Sequence, residues 1–371
     1  MNTGFNTSLI NGMSGLKVPA WHQLGSSVNA LRWEDAMTQA GLDWTVTKEQ
    51  HRSARTGELI DAYGIYRDDN NAFLGQVGGI FTPIQNREQF AFVDSLIESV
   101  DGAHYVAAGS LDGGEQVFCV AEIGCFDIGS MGDKHRAFVI FRDFKNSKGS
   151  GEARISLLRE VCTNGLHKQI GTTALRFRHT INVKNRMEIA GKSVGLLSSS
   201  FTEVRGKLED LSTRKFRDSR SVQSVLEKLF PPSPTEIEAG RVNNRRLEAQ
   251  LSVSQLFVDN DNDAFPSQAG TAYALFNAVT NYVDHEKEVV RTQGRAGRSV
   301  DSIRAAGSLF GTGADFKSNA LDVIMKETAH LPTSKRLYSF PGGGVIDTEA
   351  IEVKEPLRLG SGLSESLELA A

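Results

Sequence analysis

Positively charged side chains are concentrated between residues 134 and 186, where twelve lysines and arginines stand against only three acidic residues. Such cations neutralise the phosphates of a nucleic acid, and binding responds to the local charge rather than to the net charge of −4. The cations are Lys134, Arg136, Arg142, Lys145, Lys148, Arg154, Arg159, Lys168, Arg176, Arg178, Lys184 and Arg186. The segment therefore predicts a site for a polyanion.

Phenylalanines at positions 138, 141, 144 and 177 are interleaved with these cations. Exposed aromatic rings can stack on unpaired bases, which would favour a single strand. Strand alternation places Phe138, Arg142 and Phe144 on one face and Phe141 on the other, and it places Arg176 and Arg178 opposite Phe177. The alternative is a solvated face of charges above phenylalanines that belong to the core.

A second basic stretch, residues 291–298, alternates arginine with glycine and suits a loop that orders on phosphate. A polar connection between helices is the alternative. Together the two stretches predict a nucleic-acid-binding surface. Its candidate residues are Arg142, Phe144, Lys145, Lys148, Arg154, Lys168, Arg176, Arg178, His179, Lys184, Arg186, Arg291, Arg295 and Arg298.

Patterns typical of catalytic sites are weaker in this sequence than the pattern typical of nucleic-acid binding. Asp112 and Glu122 flank a predicted hairpin, as in some metal-dependent nucleases, and His179 could act as a base. Ile123 and Gly124 follow Glu122, however, where such nucleases carry a nearby lysine. The eight histidines lack metal-binding spacing, and no glycine run is followed by the Lys-Ser/Thr of a phosphate-binding loop. We predict no catalytic residue and no cofactor.

No metal site is predicted either. The run from Asp259 to Asp263 resembles the start of a calcium loop, but positions six and twelve of that loop are Ala264 and Gly270 instead of glycine and glutamate. The three cysteines, at positions 119, 125 and 162, are too few and too scattered for a disulfide framework or a zinc site. They are interpreted as free thiols.

Acidic residues dominate on both sides of the basic segment. Residues 1–133 carry seventeen acidic and seven basic side chains, and residues 345–371 carry six and two. The acidic tail could occupy a basic groove, recruit a host or phage recombination protein, or only keep the chain in solution.

Hydropathy patterns predict an α+β fold. Strands are expected at residues 43–50, 59–67, 73–78, 105–109, 116–122 and 136–144, with an amphipathic helix at 87–100. This βββ-α-βββ order predicts one mainly antiparallel sheet with a helix on one face. A short helix is also expected at 33–41 and another at 156–162, before a mostly helical C-terminal half.

These elements suggest four regions: a flexible N-terminal arm at 1–20, a sheet domain at 21–181, a helical region at 182–331 and a flexible acidic tail at 332–371. The N-terminus lacks the basic and apolar regions of a secretory signal. No stretch approaches the ~18–20 apolar residues of a membrane span. A cytoplasmic location without membrane contact is expected.

Five segments, in order, resemble the phage- and plasmid-like protein family of unknown function. They are WHQLG at 21–25, AGLDWTV at 40–46, REVCTNGL at 159–166, RHT at 178–180 and TAYALFNAVTNYVDH at 271–285. The resemblance implies carriage on mobile elements, whose neighbouring functions are commonly DNA replication and recombination. The order of elements is also similar in outline to single-strand annealing proteins of the RecT and Erf type, which implies self-association in rings or filaments.

The resulting hypothesis is a phage or plasmid protein that binds single-stranded DNA and acts as a strand-annealing or recombination-mediator protein. Self-association is expected through the helical half, where residues 271–284 offer apolar surface for the core or for a second protomer. Two alternatives remain: a metal-dependent DNA-processing enzyme that uses Asp112, Glu122 and His179, and a host-interaction adaptor that binds protein only.

Overall fold

A computed structural model describes residues 20–98, 100–128, 133–159, 165–169, 175–191, 194–240, 243–259, 268–289, 299–333, 338–339 and 345–346. The predicted arm and tail fall almost wholly outside these ranges. Arg291, Arg295, Arg298 and Cys162, which carried predictions, also lie outside the described residues.

The N-terminal half contains two antiparallel sheets. Its elements are β1 (Ser26–Ala30), α1 (Trp33–Gln39), β2 (Val46–Arg52), β3 (Leu59–Arg67), β4 (Phe73–Val77), α2 (Asn86–Ile97), β5 (His104–Leu111), β6 (Gln116–Ile128), β7 (Asp133–Phe144), β8 (Gly151–Arg159), β9 (Gly165–Gln169) and β10 (Arg176–Phe177). The main sheet has the order β1-β5-β6-β7-β8-β10, and β9 also pairs with β8. The small sheet has the order β2-β3-β4.

Helices dominate the rest of the described chain. They are α3 (Val183–Gly191), α4 (Val194–Thr213), α5 (Ser219–Leu229), α6 (Pro234–Ala239), α7 (Asn244–Asp259), α8 (Ala272–Asn281), α9 (Val300–Phe310) and α10 (Thr312–Glu327), and a π-helical turn, Tyr282–Glu286, extends α8. Asp218, Ser233, Thr271 and Ser299 each cap a helix N-terminus through the side chain. Two short strands, β11 (Tyr338–Ser339) and β12 (Val345–Ile346), pair within the predicted tail.

The main sheet is buried on both faces, because alternate residues of its central strands enter different apolar clusters. Phe141 of β7 faces α2, where its ring centroid lies 5.3 Å from that of Phe92. Phe138 points the other way and packs against Trp21, with a centroid distance of 4.7 Å. The predicted alternation of β7 is confirmed, and it places Phe138 and Phe141 in the core.

The α+β class is confirmed, and two predictions about its elements are wrong. The expected single sheet is divided in two, since β2, β3 and β4 pair only with one another. The helix expected at 156–162 is a strand over Ser156–Arg159, the end of β8. Each residue of β8 is buried, including the polar side chains of Glu152, Arg154 and Ser156 that alternate with apolar ones, so the strand lies in the interior of the protein.

Both halves of the chain contribute to one apolar core, in which buried side chains from Val28 to Ile324 are in contact. In α8 every residue from Ala272 to Thr280 is buried. This helix therefore packs inside the chain, and its apolar surface is not available to a second protomer. Among the described helices, none is long and apolar enough to cross a membrane.

Candidate nucleic-acid interface

The first group of predicted site residues lies on β7 and β8 and surrounds one buried carboxylate, Glu152. The Arg142 guanidinium lies 2.5 Å from a Glu152 oxygen, and Arg154 lies 3.3 Å from the same oxygen. Arg154 also reaches Asp315 of α10 at 3.3 Å. Burial lowers the pKa of Arg142, and the adjacent Glu152 opposes that shift. These two arginines are held by the interior of the protein.

A second buried group lies where β7 ends. The Lys145 side chain is 0% exposed, and its ammonium donates to the Ile84 carbonyl at 2.7 Å and to Asp143 at 3.0 Å. His179 places Nε2 3.1 Å from the other Asp143 oxygen and Nδ1 3.1 Å from the Thr82 carbonyl. Lys145 thus connects the end of β7 to the segment before α2. His179, which follows β10, contacts both that segment and the end of β7.

A third buried group connects β7, β8 and α8. Arg159 donates from Nε to both oxygens of Asp133 at 2.9 Å, and the Tyr273 hydroxyl donates to Asp133 at 2.7 Å. His135 Nε2 lies 3.1 Å from the Tyr273 hydroxyl. Burial lowers the pKa of His135 and raises that of Tyr273. Arg159 and Tyr273 come from two of the segments that carry the family resemblance, so those distant segments meet here.

Carboxylates of the acidic N-terminal region neutralise other members of the basic segment. Arg136 of β7 pairs with Glu122 of β6, the neighbouring antiparallel strand. Lys148 lies 2.5 Å from Glu115, and Lys184 lies 2.6 Å from Glu88 of α2. Acidic and basic residues that are far apart in the sequence therefore lie next to each other in the folded chain. The signal that sequence reasoning missed was the succession of predicted strands at 116–122 and 136–144, because their antiparallel pairing brings the acidic strand beside the basic one.

Among the candidate site residues whose side chains the structure describes, five cations are exposed, and we call them the basic rim: Lys148, Arg176, Arg178, Lys184 and Arg186. Lys148 is 64% exposed and Arg176 is 59% exposed. They lie on the loop before β8, on β10 and the residue that follows it, and on the first turn of α3. The loop and β10 are adjacent because Phe177 pairs with Gly151.

Local contacts fix the rim. Arg186 donates to the Arg178 carbonyl at 2.6 Å and to the Thr180 hydroxyl at 3.0 Å. Arg176 and Arg178 are exposed and Phe177 is buried between them, which confirms the predicted alternation. Arg176 lies 3.8 Å from Glu152, a carboxylate that Arg142 and Arg154 already neutralise. Among the described residues, neither Arg178 nor Arg186 forms an ion pair.

The predicted aromatic contacts are not available on this surface. Phe138, Phe141 and Phe177 are buried in the core. Phe144 is partly buried, with the Arg142 guanidinium 4.8 Å from its ring centroid. Lys168 lies in β9 opposite Ile155.

Asp112, Glu122 and His179, the residues of the alternative metal-dependent enzyme, each contact a different partner. Asp112 accepts a hydrogen bond from Gln116 at 3.1 Å, Glu122 pairs with Arg136, and His179 faces Asp143. Within the part of the chain that the structure describes, no three or more His, Cys, Asp or Glu side chains are grouped closely enough to hold a metal ion.

The fold and this surface define an α+β protein with two antiparallel sheets, a packed helical half and an exposed basic rim beside the last strand of the main sheet. Residues 73–306, more than half of the chain, match the family model described as "Domain of unknown function (DUF932)", and the chain belongs to that family. No curated protein and no solved structure matches the chain.

Proposed function

We propose that the chain binds single-stranded DNA through the basic rim. The observation that carries this proposal is the excess of buried cations around Glu152. Arg142 and Arg154 both pair with this carboxylate, and buried Lys145 already pairs with Asp143. The field of the exposed arginines above them is therefore weakly opposed, which favours a bound polyanion.

The rim also suits an extended chain of phosphates. Arg176 of β10 and Arg178, which follows the strand, are both exposed, and buried Phe177 lies between them. Arginines so spaced engage separate phosphates, and Arg186 extends the row beyond the strand. Phosphate contacts of this kind supply affinity without reading the base sequence.

The test is the double substitution Arg176→Glu and Arg178→Glu, with affinity for a fluorescent oligothymidylate measured by anisotropy at several salt concentrations. We expect weaker binding and a log–log salt slope reduced by about 1.4, since each lost phosphate contact removes about 0.7 on single strands. Arg32→Glu with Arg220→Glu is the matched control, because both arginines are exposed elsewhere and the charge change is identical. Equal loss in both double variants would mean that net charge alone governs binding.

Strand annealing and a recombination-mediator role are the activities we propose for the bound strand, and their support is the resemblance to mobile-element proteins. Annealing needs several protomers on one strand. Because α8 is internal, we propose that self-association uses α7 instead, where Leu247 and Leu251 are exposed one turn apart. Light scattering that shows only a 40.4 kDa monomer, free and on DNA, would contradict this part of the proposal.

A further inference from the structure

The small sheet presents an open face that carries three aromatic rings. His51 of β2, Tyr66 of β3 and Phe73 of β4 lie side by side on three neighbouring strands, and we call them the aromatic trio. Phe73 is 53% exposed, and the other two side chains are partly buried. They differ in this from the phenylalanines of the basic segment, three of which are buried in the core.

Strand alternation explains why these rings face outward. Ile65, next to Tyr66, is fully buried in the main core, and so is Leu74, next to Phe73. Adjacent residues of a strand point to opposite faces of the sheet, so Tyr66 and Phe73 take the outer face. The two are also cross-strand partners in the β3–β4 ladder.

The three rings form one connected surface. The Tyr66 and Phe73 centroids are 5.4 Å apart, and His51 lies 6.4 Å from Tyr66 and 6.2 Å from Phe73. The Tyr66 hydroxyl lies 3.3 Å from His51 Nε2. A Cβ atom on Gly64 would lie 2.5 Å from His51 Nε2 and 2.5 Å from Tyr66 Cε2. The glycine therefore lets both rings lie against the sheet.

Charges favour an anionic ligand at one end of this face, the β2–β3 hairpin. The β2–β3 hairpin carries the exposed Arg52 and Arg55. At the opposite end both aspartates are engaged: Asp68 accepts from the Thr45 amide at 2.7 Å, and Asp69 lies 2.6 Å from Arg67. Glu49 is exposed opposite Gly64, so it places a carboxylate on the face itself.

The aromatic face is joined to the basic rim by one loop. Asn146 donates to the Leu74 carbonyl at 2.7 Å, and Ser147 donates to the Gln76 carbonyl at 3.2 Å. The loop thus packs along β4, which carries Phe73. The next residue, Lys148, belongs to the basic rim. A single strand of DNA bound at the rim would therefore reach the edge of the small sheet.

We propose that unpaired nucleobases stack on the aromatic trio while the basic rim holds the phosphates of the same strand. The stacking proposal rests on the proposed function, and it explains why the chain would prefer single-stranded to double-stranded DNA. In a duplex the bases are stacked on one another, whereas a single strand exposes their faces to aromatic side chains.

The experiment compares Phe73→Leu with Phe73→Trp, because leucine keeps an apolar side chain and tryptophan keeps an aromatic ring. Each variant is titrated with an oligothymidylate and with an abasic strand of equal length, which has the same phosphates and no bases. We expect Phe73→Leu to bind the base-bearing strand about tenfold more weakly, with the salt slope and the abasic affinity unchanged. Phe73→Trp should bind like the original chain, and its added fluorescence should be quenched by bases.

The two proposals fail in different ways. If the original chain binds both strands equally, or if Phe73→Leu binds thymidylate like the original chain, the stacking role is wrong and the basic rim is unaffected. If the original chain binds neither strand, both proposals are wrong. Ile237→Ala, which removes an exposed apolar side chain from α6, controls for a general effect of surface apolar area.

Discussion

The arginines of β8 and the cations of β10 and α3 come from one basic segment, yet they occupy opposite environments. Arg159 is 2% exposed and held by a buried carboxylate, whereas Arg176 is 59% exposed. The position of each strand in the sheet explains the contrast. Strand β8 has partners along both edges and apolar clusters on both faces, whereas β10 is a two-residue strand at the end of the sheet.

The difference shows that local charge density does not by itself identify a binding surface. A buried arginine is retained with its carboxylate because an unpaired charge in the interior is costly, so it serves the fold. An exposed arginine contributes little to stability and is available to a ligand. The two groups should therefore respond to substitution in opposite ways.

The largest expected effect is on stability, from Arg159→Met. The substitution leaves the fully buried carboxylate of Asp133 without its cation, which should cost about 3–5 kcal/mol of unfolding free energy. Urea denaturation followed by circular dichroism measures the loss, and Arg159→Lys, which keeps the charge, should lose less. Arg176→Met is the exposed control. A change below about 1 kcal/mol in Arg159→Met would contradict the assignment of this group to the fold.

A smaller effect concerns pH and the same buried group. Burial holds the pKa of His135 below its usual value of 6.5. As the pH falls below 6.5, the unfolded chain takes up a proton that the folded chain does not, so this residue makes stability fall with pH. Its contribution to the slope is at most about 1.4 kcal/mol per pH unit.

The variant His135→Gln tests this dependence, since it removes the titrating ring. Urea denaturation at pH 5 and pH 7 should show a smaller loss of stability toward acid in the variant than in the original chain. His22, whose pKa burial also lowers, is present in both and cancels in the comparison. Equal slopes would show that His135 has the same pKa in the folded and unfolded chains.

The smallest stability effect is expected from Arg178→Ala in the basic rim. Its side chain is exposed and its carbonyl, which accepts from Arg186, is retained, so the unfolding free energy should change by less than about 0.5 kcal/mol. The salt slope of single-strand binding should nevertheless fall by about 0.7. A marked loss of stability with unchanged binding would show that Arg178 serves the fold and not the proposed binding surface.

Periodicity in the sequence determined the local structure where one face of an element is exposed. The bounds of β3 were predicted in full, the amphipathic helix corresponds to α2, and the alternation around Phe177 is as expected. The end of β8, Ser156–Arg159, was mistaken for the start of a helix because so short a run fits the period of a helix and of a strand equally well. Neither β1 nor the division into two sheets was predicted, since both depend on pairing between distant segments.

The sequence alone also determined that the segment around residues 134–186 is rich in cations, because composition is local. Which of them reach solvent was decided only by the tertiary structure. Antiparallel pairing set Glu122 beside Arg136, and packing of α8 on the sheet enclosed Arg159 with Asp133 and Tyr273. Charge acts through space, so its effect at each residue depends on neighbours that chain folding, and not chain order, supplies.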